Sequence, residues 1–96
     1  MTRTGTLITW VLMVAAGGEG PFAVVFGPSP VAVFHTIKEC DIARGHRIAG
    51  YRSHLAPPIK SGYDYIEGLA YSGHRDAPPY RQLYILTCES TATKGR

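Results

Sequence analysis

Two cysteines, Cys40 and Cys88, are the residues of this sequence with the most direct chemistry. Two cysteines allow one intramolecular pairing, and a disulfide between them would stabilise a small domain by about 3–4 kcal/mol in the chain-entropy model. In a reducing compartment the same residues would be small buried apolar side chains with free thiols. The sequence leaves both alternatives open, and it ties the choice to the compartment in which the protein works.

The histidines and acidic residues form no motif typical of catalysis or metal binding. A structural zinc site needs about four ligands, commonly in closely spaced pairs, whereas the four histidines are scattered and no Cys-x-x-Cys pair occurs. His35 and Glu39 stand one helical turn apart, a spacing more typical of an exposed ion pair or hydrogen bond. Neither a Gly-x-Ser-x-Gly motif nor a phosphate-binding glycine loop is present. We therefore predict a protein without catalytic residues, metal or cofactor.

Cations and tyrosines are interleaved in the second half of the chain. The segment 44–60 holds four cations and no acidic residue, and all six tyrosines lie between Tyr51 and Tyr84. From this region we select a set of candidate partner-binding side chains. They are Arg47, Arg52, Lys60, Tyr63, Tyr65, Arg75 and Arg81.

Three interpretations fit this basic, tyrosine-rich pattern. Arginine and tyrosine are enriched among the anchors of protein–protein interfaces. Cations with aromatic rings also suit phosphate contacts combined with base stacking, although no nucleic-acid-binding motif supports that function. The residues can equally be structural, since cations after a helix offset its dipole and tyrosines cover a small core. We expect a protein or nucleoprotein complex as the partner, with nucleic acid as an alternative.

Length and composition describe one small globular domain. The chain has 96 residues, of which 45% are hydrophobic and 18% charged, and a formal net charge of +3. These values are typical of a folded protein and exclude a two-domain enzyme or a dinucleotide-binding fold. We predict a single domain over residues 1–89, followed by a flexible polar tail over residues 90–96.

The most apolar segment, residues 7–16, fits a secretory signal or a buried strand, but it is too short for a membrane span. It is half the roughly 20 residues that cross a membrane, so we expect no membrane span. A basic start and small residues before Gly17 fit a secretory signal cleaved near Ala16, which would place the protein in the periplasm or outside the cell. Its β-branched and aromatic residues fit a buried strand, paired in a hairpin with a second strand over residues 22–26. We favour the strand and a cytoplasmic protein.

Residues 29–44 carry the pattern of an amphipathic helix. Ser29 suits the N-cap and Pro30 the first helical position. The apolar stripe consists of Val33, Ile37 and Cys40. Because Arg44 would fall on the same stripe, we predict that the helix ends there, with Gly45 as a left-handed stop.

The rest of the chain has weaker signals. Residues 46–81 are rich in glycine, proline and tyrosine, and we expect loops with one or two short strands, one of them near residues 63–66. Residues 82–88 have the composition of a strand. The predicted fold is α+β, with a mainly antiparallel sheet of three or four strands in ββαβ order and one helix packed on one face.

Four features of the sequence recur together in a known group of proteins. They are an apolar strand over residues 10–16, the VVFGP segment at residues 24–28, Cys40 in the helix and a strand over residues 83–88 that ends in cysteine. This arrangement resembles that of short uncharacterised phage and prophage reading frames, although the segment 45–81 is longer than the pattern expects. Such proteins often bind and block a host complex, and anti-CRISPR proteins are one class. The resemblance implies an inhibitor of that kind.

We therefore predict a small, non-enzymatic, macromolecule-binding protein, and we take a phage-encoded inhibitor as the finer hypothesis. An exported, disulfide-closed structural or envelope domain is the alternative, and a nucleic-acid-binding module is the third possibility.

Overall fold

The computed structural model describes residues 7–93, which form one helix packed on one five-stranded antiparallel sheet. The elements are β1 (Leu7–Glu19), β2 (Phe26–Phe34), α1 (Ile37–Arg52), β3 (Ala56–Ser61), β4 (Tyr65–Ala70) and β5 (Tyr80–Thr93), and the strand order is β2-β1-β5-β4-β3. The predicted α+β class, with an antiparallel sheet and one helix, is confirmed. The predicted three or four strands in ββαβ order do not match, because residues 46–81, expected to hold loops with one or two short strands, contribute both β3 and β4 and bring the sheet to five strands.

β1 lies inside the sheet, as the strand interpretation of residues 7–16 predicts. It pairs with β2 on one side and, from Leu7 opposite Thr93 to Glu19 opposite Arg81, with β5 on the other. Its alternate side chains at Leu12, Val14 and Ala16 are buried. The second strand of the predicted hairpin is displaced: residues 22–25 belong to a connecting loop, and β2 starts only at Phe26.

The helix starts later than predicted, because the segment before it is recruited into the sheet. Five residues assigned to the predicted helix pair with β1 as part of β2; they are Ser29, Pro30, Ala32, Val33 and Phe34. Thr36, rather than Ser29, is the N-cap of α1: its hydroxyl accepts a hydrogen bond from the Glu39 amide, 3.1 Å away, and the Glu39 carboxylate accepts one from the Thr36 amide. This reciprocal capping box satisfies two backbone donors that the first turn would leave unpaired.

The helix also ends later than predicted, because Arg44 is tolerated on the buried stripe. Arg44 is only 5% exposed. Its guanidinium donates a hydrogen bond to the Asp41 carboxylate and lies 3.9 Å from the centroid of the Tyr63 ring. With its charge paired and its plane stacked, the arginine does not interrupt the stripe. The helix therefore runs through Gly45 to Arg52.

The core lies between α1 and the face of the sheet that it covers. The buried apolar side chains are Leu12, Val14, Ala16, Cys40, Ile48, Ile66 and Leu86. A disulfide joins Cys40 of α1 to Cys88 of β5, so the structure has the oxidised form of the pair. This bond ties the helix covalently to the sheet, across 48 residues of sequence.

Beyond the helix, the covered face is closed by the loop 20–25. The buried side chain of Gln82 holds this loop: its amide nitrogen donates to the carbonyl oxygens of Gly17 and Val24, and its oxygen accepts from the Val24 amide, each at 2.9 Å. Phe22 of the same loop stacks on the His74 ring with centroids 4.8 Å apart. The loop is thus anchored at its backbone and at its aromatic side chain.

β5 continues to Thr93, so residues 90–93 of the predicted tail are part of the sheet. Residues 94–96 of that tail, and residues 1–6 of the predicted domain, lie outside the described residues. Within residues 7–93, no helix has the length and apolarity needed to span a membrane.

Candidate functional site

The sequence-predicted site residues do not form one surface. Arg47 and Arg52 both lie on α1, but they point to opposite flanks of it. Arg47 faces β2, where it lines a groove beside the helix. Arg52 faces β3 and donates a hydrogen bond to the Ser61 hydroxyl. The two cations therefore cannot contact the same small feature of a partner.

Three further predicted residues lie on the sheet face opposite α1, which we call the helix-free face. In an antiparallel sheet, directly opposed residues share a face. Tyr65 is opposite Ile85, and Lys60 is opposite Glu67. Arg81 pairs its guanidinium with the Glu67 carboxylate at 3.5 Å. These three residues therefore lie on the other side of the sheet from Arg47 and Arg52.

The remaining two predicted residues are separated again. Tyr63 stacks on Arg44, and its hydroxyl donates to the Asp41 carboxylate at 3.4 Å, so it has a structural role beside α1. Arg75 is exposed in the loop 71–79, outside the sheet. The basic, tyrosine-rich set is therefore a sequence cluster that the fold distributes over several surfaces.

The fold does gather other tyrosines, which the sequence analysis did not select. Tyr51, Tyr71, Tyr80 and Tyr84 line a cavity of about 400 Å³ at the end of α1. The Tyr51 and Tyr84 rings stack in parallel with centroids 4.0 Å apart. Burial, followed by the neighbouring Tyr51 and Tyr80 hydroxyls, raises the pKa of Tyr84 above its ordinary value. Because these residues come from α1, β5 and a loop, only tertiary structure brings them together.

A groove with a volume of about 670 Å³ lies between β2 and α1. Leu12, Ala32 and Phe34 form its floor, and Ile42 and Ala43 form its wall on the helix. The groove exists because α1 packs over the middle of the sheet and leaves the outer part of β2 uncovered. Apolar side chains of an incoming chain could bury themselves here.

The open side of this groove is the sheet edge β2, whose last four residues lack the usual protection. At the opposite edge, Pro57 and Pro58 lack N–H groups and Lys60 adds charge, features that block the addition of another strand. In β2 the prolines end at Pro30, and residues 31–34, VAVF, contain neither proline nor charge. No strand flanks the outer side of β2 within residues 7–93. The outward backbone groups of residues 31–34 are therefore available to a further strand.

The polar rim of the groove has one cation and one carboxylate. Arg47 and His46 contribute to it from the helix, together with Glu39. The Glu39 carboxylate is engaged at the helix start, where it accepts from the His35 and Thr36 amides, each at 3.2 Å. Arg47 forms no ion pair among the described residues. A negatively charged group entering the groove would thus find an available cation.

In the part of the chain that the structure describes, no cluster of three or more side chains has the composition of a metal site. The chain matches no protein-family model, no curated protein and no solved structure.

Proposed function

We propose that this protein is a small, non-enzymatic binding protein that accepts an extended segment of a partner protein as an added strand along β2. The observation that carries the proposal is the apolar groove between β2 and α1, which lies beside the unpaired edge of residues 31–34. In this mode of recognition, main-chain hydrogen bonds provide affinity and pockets for alternate side chains provide specificity.

The shape of the groove supports an extended ligand with alternating apolar residues. Side chains of a strand added beside residues 31–34 alternate between the two faces of the sheet. Those on the helix side would enter the groove between Phe34 and Ile42. Full burial of one Val, Leu or Ile side chain there contributes about 1.5–3 kcal/mol. A short segment with several such side chains can therefore bind without a large interface.

The cation Arg47, unpaired among the described residues, supports an acidic ligand. Arg47 presents a planar guanidinium suited to two parallel hydrogen bonds with a carboxylate. The formal net charge of +3 favours approach of an acidic segment over a basic one. The proposed partner segment is therefore extended, apolar at alternate positions and acidic at the position nearest Arg47.

Binding of synthetic octapeptides tests this proposal. The probe alternates valine with serine and contains one glutamate, and a second peptide has lysine in place of that glutamate. We expect the glutamate peptide to bind more tightly, measured by fluorescence anisotropy. The variant Arg47→Glu should reverse the preference, because the cation of the groove becomes an anion.

Arg52→Glu is the matched control, since it makes the same charge change on the other flank of α1. It should leave peptide binding unchanged. A peptide with a central proline should lose binding, because proline lacks a donor for the main-chain ladder. Equal sensitivity to Arg47→Glu and Arg52→Glu would contradict the groove as the site. Binding of single-stranded nucleic acid with a steep salt dependence would instead favour the nucleic-acid function.

The resemblance to phage reading frames provides a finer proposal: the bound segment belongs to a host protein or nucleoprotein complex, which is blocked by the added strand. In a host cell that expresses the protein, Arg47→Glu should then relieve inhibition, while Arg52→Glu should not. Inhibition that persists in Arg47→Glu would mean that the blocking activity does not depend on the groove.

The disulfide favours a second candidate, an exported structural or envelope domain. A Cys40–Cys88 bond is compatible with an oxidising compartment. Thiol titration and intact-mass measurement of the native protein, isolated without reductant, test this candidate. Two free thiols would contradict it. A chain starting beyond Ala16 would support export, but it would also lack Leu12, Val14 and Ala16 of the core.

A further inference from the structure

We propose that the cavity at the end of α1, which we call the tyrosine cavity, binds a small neutral aromatic compound with one N–H or O–H donor, such as an indole or a phenol. Its tyrosines are Tyr51, Tyr71, Tyr80 and Tyr84. No described residue lines both this cavity and the groove between β2 and α1. The proposal is therefore independent of the strand addition proposed for the groove.

The tyrosine cavity exists because α1 ends before the covered face of the sheet does. Tyr51 lies in the last turn of α1 and stacks on Tyr84 of β5. Beyond this stack β5 extends about 13 Å to Tyr80, which points to the same face because side chains alternate along a strand. Ala70 of β4 is directly opposite Tyr80 and has only a methyl group to fill the space. The resulting volume of about 400 Å³ is near the lower end of the range that holds small ligands.

The rings that line the tyrosine cavity favour an aromatic ligand. Tyr51 and Tyr84 already stack in parallel, with centroids 4.0 Å apart. Tyr80 and Tyr71 add two further rings, and Tyr71 is 65% exposed. A planar ligand can extend the stack or meet a ring edge to face, the two arrangements that aromatic pairs prefer. The lining therefore favours a flat ring over a saturated ring of similar volume.

The groups that line the tyrosine cavity select against an ionic ligand. Besides the tyrosines, the lining residues are His54, Leu55 and Ala70. Among the described residues, the lining therefore has no carboxylate, ammonium or guanidinium group. Burial and the neighbouring tyrosine hydroxyls raise the pKa of Tyr84, so this hydroxyl keeps its proton. An ion that entered would lose water without gaining a counter-charge.

His54 adds a hydrogen-bond acceptor to the lining. Its Nδ1 lies 3.0 Å from the Gly50 carbonyl oxygen, which can only accept, so Nδ1 carries the hydrogen of the neutral ring. Nε2 is then an acceptor, and among residues 7–93 it has no hydrogen-bond partner. A ligand with one N–H or O–H group can donate to Nε2. Indoles and phenols combine such a donor with a flat ring.

Titration of the isotope-labelled protein with indole, followed by NMR, tests the proposal without any variant. Amide signals of residues 70, 71 and 84 should shift in a saturable way, with a dissociation constant below about 1 mM. N-methylindole keeps the rings but lacks the donor, so it should bind about fivefold more weakly than indole. Cyclohexanol keeps the donor but lacks the flat ring, so it should bind about tenfold more weakly than phenol.

Filling the tyrosine cavity tests the position of the site. Ala70→Leu occupies the space and keeps all four tyrosines, so it should raise the dissociation constant for indole more than about tenfold. Ala43→Leu is the matched control, because it makes the same substitution in the wall of the groove. It should leave indole binding unchanged and weaken binding of the octapeptide. Failure of this proposal is thus distinguished from failure of strand addition.

Tyr80→Leu is a second variant, which keeps apolar volume but removes one ring, and it should weaken indole binding about fivefold. Far-UV circular dichroism checks that each variant keeps the fold. Absence of saturable shifts in the wild-type protein would overturn the proposal, as would an unchanged indole affinity in either folded variant. Tighter binding of tetramethylammonium than of indole would also overturn it, because the rings would then form a cage for a cation.

Discussion

The two faces of the sheet have similar apolar side chains but very different surroundings. On the covered face, Leu86 is fully buried beneath α1. On the helix-free face, its neighbour Ile85 is 41% exposed. Sequence alone gives these adjacent residues equal apolar character. The position of the helix decides which of the two becomes core.

The two faces of the sheet are also stabilised by different interactions. The covered face combines apolar burial with a covalent bond and with the buried side chain of Gln82, which holds the loop 20–25. On the helix-free face, the contacts among the described residues include cross-strand contacts and the ion pair between Arg81 and Glu67. Folding of the chain therefore depends on the covered face.

Of the changes that distinguish the two faces, removal of the disulfide should lower the free energy of unfolding the most. Replacing Cys40 and Cys88 by alanine together releases a loop of 48 residues, and the chain-entropy model predicts a loss of about 4 kcal/mol in the free energy of unfolding. Urea denaturation followed by circular dichroism measures this loss. A double variant as stable as the oxidised protein would mean that apolar packing alone holds α1 on the sheet.

Truncation of two adjacent side chains in β5 should destabilise the protein by different amounts, because one lies on the covered face and the other on the helix-free face. Leu86→Ala leaves a cavity beneath α1 and should cost about 3 kcal/mol. Ile85→Ala should cost less than about 1 kcal/mol, because its side chain is partly in water. Both are measured by urea denaturation. Equal losses would contradict the assignment of the core to one face.

The smallest expected effect is a change in the free energy of unfolding at alkaline pH, caused by Tyr84 on the covered face. Burial raises the pKa of Tyr84 above 10.0, so the folded chain keeps this proton at a pH where the unfolded chain loses it. The free energy of unfolding should therefore fall as pH rises from the ordinary tyrosine value toward the raised one. Tyr84→Phe should reduce that fall while keeping the ring stacked on Tyr51. An equal reduction in Tyr71→Phe, which removes an exposed hydroxyl, would contradict the role of Tyr84.

Part of the fold could be predicted because it depends on local composition. The apolar and β-branched residues of β1 favour a strand in any context, and the same holds for residues 82–88. The start of α1 was also readable, since Thr36 and Glu39 form the spacing of a capping box. The prediction instead placed the helix start at Ser29 and Pro30. These two residues also suit a helix start, but they belong to an edge strand.

The candidate site was less predictable, because its parts are distant in sequence. The groove needs Ala32 and Phe34 from β2 and Arg47 from α1, and only the placement of the helix over the sheet brings them together. Of the predicted binding residues, Arg47 alone lines this groove. Clustering in sequence overestimates clustering in space when the chain forms several short strands, since successive residues alternate between opposite faces.

The sequence by itself determined the α+β class, the strand character of β1 and β5, and the single possible pairing of its two cysteines. Tertiary structure decided where α1 begins, why it can continue through Arg44, and which face of the sheet becomes core. The physical reason is that propensity acts within a few residues. By contrast, the pairing of β2 with β1 and the burial of a charged residue depend on partners that only the folded chain brings into contact.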